Sequence, residues 1–173
     1  MDLKKDVLIR SEEHGDFAAI RGVNEAAFNT AAEADLVDVL RELARPVISL
    51  VAVSGGAIAG HIMFSPVTLL GKPTLRLMGL GPMAVAPAVQ RRGIGSALVR
   101  AGLERCRQIG FGAVVVLGHP EYYPRFGFLS STRFGIDCEF DVPSDVFMVM
   151  ELENGFLRGV SGRIEYHPAF RGV

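Results

Sequence analysis

The stretch from Leu80 to Phe111 combines an apolar segment, a turn and a helical repeat, and it constrains the fold more than any other part of the chain. The apolar segment ends at Pro87, which cannot donate to a strand ladder. After Gly95 the residues form a mostly apolar helical pattern with one narrow polar stripe, as in helices that lie along a sheet. The sequence therefore predicts a strand, a turn and a helix in a protein of the α/β (α+β) class.

The turn before this helix has the composition of an anion-binding site. The first N–H groups of a helix lack partners within the helix and attract phosphate. Gly93 and Gly95 leave the backbone open to a bulky diphosphate, and Arg91 and Arg92 can add charge-assisted hydrogen bonds. The alternative is a solvated basic helix start whose glycines only serve the turn, and spacing alone leaves both interpretations open.

The glycine spacing excludes the best-known nucleotide-binding loops. The chain contains no G-x-x-x-x-G-K-S/T stretch, which a Walker loop requires. A dinucleotide-binding G-x-G-x-x-G loop would need a glycine where Leu98 stands. We therefore expect the ligand to be neither a nucleoside triphosphate nor NAD.

Hydrophobic periodicity predicts the remaining elements. Helices are predicted near residues 17–28 and 31–43, and strands at residues 7–10, 48–53, 58–67, 75–85, 113–117, 134–140, 146–152 and 162–166. Gly55 and Gly56 predict a tight hairpin turn. The glycines and Pro82 within residues 75–85 predict a bulge at which this strand separates from a neighbour.

Two motifs resemble those of one protein family. Residues 85–98 read VAPAVQRRGIGSAL, which is similar to the pyrophosphate motif Q/R-x-x-G-x-G/A of the GNAT superfamily of acyl-CoA-dependent N-acetyltransferases. Residues 122–128 read YYPRFGF and resemble that superfamily's F/Y-Y-x-x-x-G-F segment. The motifs occur in the expected order, separated by one helix and one apolar strand.

The resemblance implies a fold and a domain organisation. The expected fold is a mixed, mostly antiparallel central sheet of about seven strands, with helices on both faces and a bulged, splayed strand at the CoA site. Residues 1–173 are expected to form a single N-acetyltransferase domain. Its core would span about residues 7–152, and residues 153–173 would form a strand-containing tail outside the resemblance.

The resemblance also implies acetyl-CoA as cosubstrate, without a metal. The bulged strand would bind pantetheine and the glycine-rich turn would bind the pyrophosphate. The implied cofactor-binding residues are Met83, Ala84, Val85, Gln90, Arg91, Arg92, Gly93, Ile94, Gly95, Ser96 and Tyr123.

The reaction would be attack of a neutral primary amine on the thioester carbonyl. The N–H of Val85, or of a near neighbour, can hold the carbonyl oxygen. The resemblance implies that Tyr123 protonates the leaving sulfur. Tyr122 is expected to pack the helix against the sheet. Leu75–Val85 lacks the carboxylate that many relatives use as the base, so the base stays open. His119 is one candidate, and no dedicated base is needed if the amine arrives partly deprotonated. Other candidates for the base are Glu33, His61, Glu121 and a water chain.

Composition limits the partners. The net charge of −1 argues against a general role in nucleic-acid or membrane binding. No apolar run approaches the about 20 residues of a membrane span, and the chain start lacks a signal core, which predicts a cytoplasmic protein. The two cysteines lack metal-binding spacing. The apolar final strand and the tail are compatible with a homodimer.

The acceptor is not encoded in any motif. Four acids on the second helix, Glu33, Asp35, Asp38 and Glu42, would favour a cationic acceptor unless they only form its solvated face. The missing strand carboxylate leaves a second interpretation open, namely a non-catalytic acyl-CoA-binding regulatory module.

Overall fold

The structure is a computed structural model that describes residues 6–173. Within that range the chain forms one sheet of nine strands and three α-helices, joined by loops and short 3-10 turns. The strands are β1 (Val7–Ser11), β2 (Ile48–Ser54), β3 (Ala57–Leu69), β4 (Lys72–Val85), β5 (Ala113–Leu117), β6 (Leu129–Ser130), β7 (Ile136–Cys138), β8 (Phe147–Glu151) and β9 (Gly162–Glu165). The helices are α1 (Phe17–Phe28), α2 (Ala32–Leu43) and α3 (Ile94–Gln108).

The sheet has the order β1-β2-β3-β4-β5-β8-β6, and β9 pairs with both β3 and β7 beside this path. Among the described strands, β4–β5 and β7–β9 are parallel pairs and the others are antiparallel. The predicted mixed, mostly antiparallel sheet is thus confirmed. The sheet exceeds the expected strand number because the tail adds β9 to it and because β6, with two residues, is too short to show a hydrophobic period.

Helices cover both faces of the sheet, as predicted. Successive side chains of β3 point to opposite faces, so Phe64 and Met63 belong to different clusters. Phe64 packs with Leu98 and other apolar residues of α3, whereas Met63 packs with Ile20 of α1 and Leu40 of α2. The core therefore lies in two layers, with α3 on one side and α1 and α2 on the other.

The bulge predicted in β4 is present, and it opens the sheet. One residue of β3 faces Gly81 and Pro82 of β4, between the pairs Ile62–Met83 and Phe64–Leu80. Gly81 has a φ of 137°, which favours glycine. Pairing of β4 with β5 ends at Leu80, whereas pairing with β3 continues to Val85. The last five residues of β4 thus have a free edge on the β5 side.

Candidate active site

The free edge of β4 carries backbone groups that no neighbouring strand pairs. The N–H of Ala86 donates to the carbonyl of Ala59 at 2.8 Å, which fixes the alternation of hydrogen-bonded pairs along β3 and β4. In that alternation Ala84 pairs with His61, whereas Met83 and Val85 direct their N–H and C=O groups away from β3. These groups face the space between β4 and β5, where a ligand with amide groups could pair with them.

The turn after β4 leads into α3 with its first N–H groups uncapped. Gly93 is the N-cap residue of α3, with a φ of 86° and no side-chain cap. Arg91 also has a positive φ, 62°, which is uncommon for a residue other than glycine. The side-chain amide of Gln90 donates to the carbonyl of Val85 at 2.9 Å and so fastens the turn to the end of β4.

A groove of about 690 Å³ runs between this turn and the loop that follows β5. Ten predicted site residues line it, namely Met83, Ala84, Val85, Gln90, Arg91, Gly93, Gly95, Ser96, His119 and Tyr123. Arg92 and Ile94 are not among the lining residues. Arg92 is exposed, and the Ile94 side chain is buried in the core, so Ile94 can offer a ligand only its backbone N–H. We call this space the loop groove.

Tyr123 stands at the centre of the site. It begins a short 3-10 turn, Tyr123–Phe126, and its buried ring packs edge-on against Tyr122 and Phe128 at centroid distances of 5.1 and 5.6 Å. A Cβ on Gly118 would overlap this ring, so the end of β5 needs glycine there. Burial raises the pKa of the Tyr123 phenol, which therefore stays protonated at neutral pH.

Tyr122 has a different environment from its neighbour. Its hydroxyl lies 3.3 Å from Oγ of Ser96, and the Arg125 guanidinium lies 4.3 Å from the centre of its ring. A Cβ on Gly95 would approach the Tyr122 hydroxyl to 3.2 Å. Tyr122 thus packs the start of α3 against the loop after β5, and it also forms part of the wall of the loop groove.

A second cavity, of about 600 Å³, lies on the other side of the free edge. Phe28, Met83, His119 and Tyr123 line both spaces, so the second cavity and the loop groove meet at these residues. We call the second space the acceptor-side cavity. Its other walls come from α2, from the segment after β7 and from the tail, including Glu33, Phe140 and Tyr166.

The structure separates the candidates for the base. His119 is exposed and lines both the loop groove and the acceptor-side cavity. Glu33 lines the acceptor-side cavity, and Glu121 is exposed and lines neither space. His61 lies in the core and lines neither space, with Nε2 2.8 Å from Oγ of Ser49.

The buried His61 makes stability depend on pH. Burial lowers its pKa from 6.5 to about 4, opposed by the charge of Glu12 and aided by that of Arg41. In the unfolded chain the His61 imidazole therefore becomes protonated near pH 6.5, whereas in the folded chain it becomes protonated only near pH 4. The free energy of unfolding should fall as pH drops through that window, by on the order of 3 kcal/mol.

Urea unfolding of the protein and of His61→Gln at pH 7 and pH 4.5 measures this effect. The amide of glutamine keeps a hydrogen-bonding group beside Ser49 without titrating, so the variant should lose less stability on acidification. Equal losses in the two proteins would contradict the assignment.

Residues 6–173 contain no group of three or more His, Cys, Asp or Glu side chains that could hold a metal ion. Over the same range no helix is both long and apolar enough to cross a membrane.

Comparison with known proteins decides the family. Residues 17–128 match the model of the acetyltransferase (GNAT) family. The N-acetyltransferase YhbS of Escherichia coli K12 is 36% identical over 165 residues, which cover 95% of this chain and 98% of YhbS. The chain belongs to the GNAT acetyltransferase family.

Solved structures of GNAT proteins agree with this fold. The crystal structure of YhbS from Escherichia coli in complex with CoA has a TM-score of 0.90 at 35% identity, covering 96% of this chain and 92% of that one. A GNAT acetyltransferase from Brucella melitensis in complex with acetyl-CoA has a TM-score of 0.79 at 37% identity, covering 95% of this chain and 97% of that one. The similarity thus extends past the family model into the tail, where the motif resemblance did not reach.

Sequence reasoning missed most walls of the acceptor-side cavity. Phe28, Phe140, Tyr166 and Phe170 come from separate elements and have no shared spacing. Each is an ordinary apolar position in its own segment, so only the tertiary structure brings them together.

Proposed function

We propose that this GNAT protein transfers the acetyl group of acetyl-CoA to a primary amine by direct attack on the thioester. The observation that carries the proposal is the free edge of β4, which connects the uncapped start of α3 with Tyr123. The complexes of the two relatives with CoA and acetyl-CoA support the choice of cosubstrate.

The residues of the loop groove fit a long ligand with a diphosphate at one end and amides along its arm. The uncapped N–H groups at the start of α3 and the Arg91 guanidinium would hold the diphosphate. The outward N–H and C=O groups of Met83 would pair with the amides of the pantetheine arm. These contacts mainly position the thioester. The bimolecular reaction with the amine thereby becomes a reaction between two bound and oriented groups.

Acetyl-CoA supplies the thioester carbonyl, at which a C–N bond forms while the C–S bond breaks. The N–H of Val85 would stabilise the negative charge that develops on the carbonyl oxygen. Tyr123 would donate its proton to the leaving sulfur. Its raised pKa does not prevent this step, because the developing thiolate is desolvated by the same surroundings and becomes more basic as well.

An amine that arrives as an ammonium loses one proton before it attacks and a second after the C–N bond has formed, and His119 is the proposed acceptor of these protons, which it passes in turn to solvent. Its position between the loop groove and the acceptor-side cavity supports this role. An imidazole nitrogen within hydrogen-bond reach of the amine can accept its proton. Its exposure to solvent lets the proton leave the site.

Thermal unfolding with acetyl-CoA, CoA, NAD or ATP, followed by thiol release with a panel of amines, tests the proposal. Acetyl-CoA and CoA should stabilise the protein, by about 2.7 kcal/mol at 100 times the dissociation constant, and NAD and ATP should not. Stabilisation by CoA without thiol release from acetyl-CoA would favour the non-catalytic binding module. No stabilisation by any of the four would overturn the proposed function.

The two arginines of the turn should differ in their effect on cosubstrate binding. We expect Arg91→Ala to raise the KM for acetyl-CoA about tenfold, the loss of one charge-assisted contact, with little change in kcat. Arg92→Ala is the matched control, because this exposed neighbour does not line the loop groove. A larger rise in KM for Arg92→Ala than for Arg91→Ala would contradict this placement of the diphosphate.

A further inference from the structure

The acceptor-side cavity is walled almost entirely by apolar and aromatic side chains. Phe28 and Leu36 come from α1 and α2, Leu117 from the end of β5, and Phe140 from the segment after β7. Tyr166 and Phe170 come from the tail, and the Tyr166 ring packs against Phe140 and Phe170 at centroid distances of 5.7 and 5.0 Å. A volume of about 600 Å³ is in the range of small-molecule sites rather than of protein docking surfaces.

One charged group faces this apolar space. Among the lining residues, all within the described part of the chain, Glu33 is the one acidic side chain, and none is a lysine or arginine. The Oε2 atom of Glu33 is buried and has no hydrogen-bond partner in residues 6–173. A carboxylate in such a place gains most from a cation that enters the cavity.

Two of the other three acids of α2 are engaged in ion pairs, and the third, Glu42, is exposed and does not line the cavity. Asp35 accepts a hydrogen bond from Arg21 at 2.6 Å, and Asp38 pairs with Arg21 and Arg41 at 2.8 and 2.7 Å. These two carboxylates already have their counter-charges and do not line the cavity. Glu33 is therefore distinct among the acids of the helix.

The tail adds a neutral polar group to the wall. The hydroxyl of Tyr166 is buried and lacks a partner in the described residues. Burial raises the pKa of this phenol, so it stays uncharged. Apart from Glu33, the wall near Tyr166 thus offers apolar surface and a neutral hydroxyl, and nothing there would pair with a second ionic group on a ligand.

We propose that the acceptor is a small primary amine on an uncharged apolar body, such as an arylalkylamine, bound with its ammonium group against Glu33 and its body against the aromatic walls. This inference rests on the proposed acetyl transfer. A free carboxylate on the same body would lie near Glu33, and no lysine or arginine lines the cavity to pair with it. A second ammonium, as in a polyamine, would have to lose its water against apolar walls.

The test compares kcat/KM for phenethylamine, phenylalanine, phenylalaninamide and spermidine in the wild-type protein with saturating acetyl-CoA. Phenethylamine and phenylalanine differ by one carboxylate, and phenylalaninamide, which has a neutral amide in place of that carboxylate, represents the N-terminal residue of a peptide. We expect phenethylamine to exceed phenylalanine and spermidine by about 100-fold, within the range that pocket contacts supply. If kcat/KM for phenylalaninamide equals or exceeds that for phenethylamine, the acceptor would be a peptide N-terminus. That result would overturn the proposal that the acceptor is a free small amine.

Two variants of α2 test the role of Glu33. Glu33→Gln should lower kcat/KM for phenethylamine about 30-fold, mainly through KM, while stabilisation by acetyl-CoA stays unchanged. Asp35→Asn is the matched control and should leave kcat/KM within about twofold, because Asp35 is paired with Arg21 outside the cavity.

The outcomes separate this inference from the proposed function. Equal effects of the two variants, or spermidine or phenylalanine as the best substrate, would overturn the inference and leave acetyl transfer intact. Absence of thiol release with every amine would overturn both.

Discussion

The Tyr123→Phe variant should lose about 10²- to 10⁴-fold in kcat, the usual contribution of a positioned general acid. The phenylalanine ring keeps the packing against Tyr122 and Phe128, so the fold and the loop groove should survive the change. Without the hydroxyl, the sulfur must leave as an unprotonated thiolate in a poorly solvated site. Steady-state kinetics of thiol release should show the loss in kcat at a nearly unchanged KM for acetyl-CoA.

Tyr122→Phe provides the control for this experiment. It removes a hydroxyl whose contact is Ser96 rather than the meeting point of the two spaces. We expect it to change kcat by less than about tenfold, the value of one ordinary hydrogen bond. A larger loss of kcat in Tyr122→Phe than in Tyr123→Phe would show that Tyr122, and not Tyr123, is the general acid.

Val85→Pro should lower kcat by about 10²- to 10³-fold, the cost of removing one donor that stabilises a developing oxyanion. Proline lacks the N–H that this account places against the carbonyl oxygen. The register shows that this N–H points away from β3, so the substitution removes no hydrogen bond of the ladder. The variant should therefore still fold, and thermal unfolding checks that it does.

Val85→Ala is the matched variant, because it shortens the side chain and keeps the N–H. It should retain kcat within about tenfold, since only partly buried side-chain contacts are lost. Similar losses in the proline and alanine variants would show that the side chain matters and the backbone donor does not.

The part of the site that could be predicted from the sequence is formed by residues that are adjacent in the chain. The bulge at Gly81 and Pro82 and the turn at Gly93 depend on local backbone geometry, which glycine and proline reveal in the sequence. The same local logic predicted the hairpin turn, where Gly55 and Gly56 have φ values of 59° and 78°.

Adjacent residues of like chemistry could not be told apart. Arg91 and Arg92 are equivalent in the motif. In the structure Arg91 has a positive φ and lines the loop groove, whereas Arg92 does not line it. His61 remained a candidate for the base in the sequence analysis. The structure places it in the core between Ser49 and Asn24, and this position depends on contacts with residues far away in the chain.

The acceptor-side cavity could not be predicted because its lining residues are far apart in the sequence and meet only in the tertiary structure. Tyr166 reaches it only because β9 of the tail pairs with β3, about a hundred residues earlier in the chain. Glu33 was one of four acids on α2, and it is singled out because it alone of the four lines the cavity.

A crystal structure of this protein with acetyl-CoA tests the central claim most directly. The account predicts the diphosphate on the backbone of residues 90–95, the pantetheine arm along Met83 and Val85, and the thioester between Val85 and Tyr123. Acetyl-CoA bound elsewhere, or a β4 edge without contact to the pantetheine arm, would contradict it.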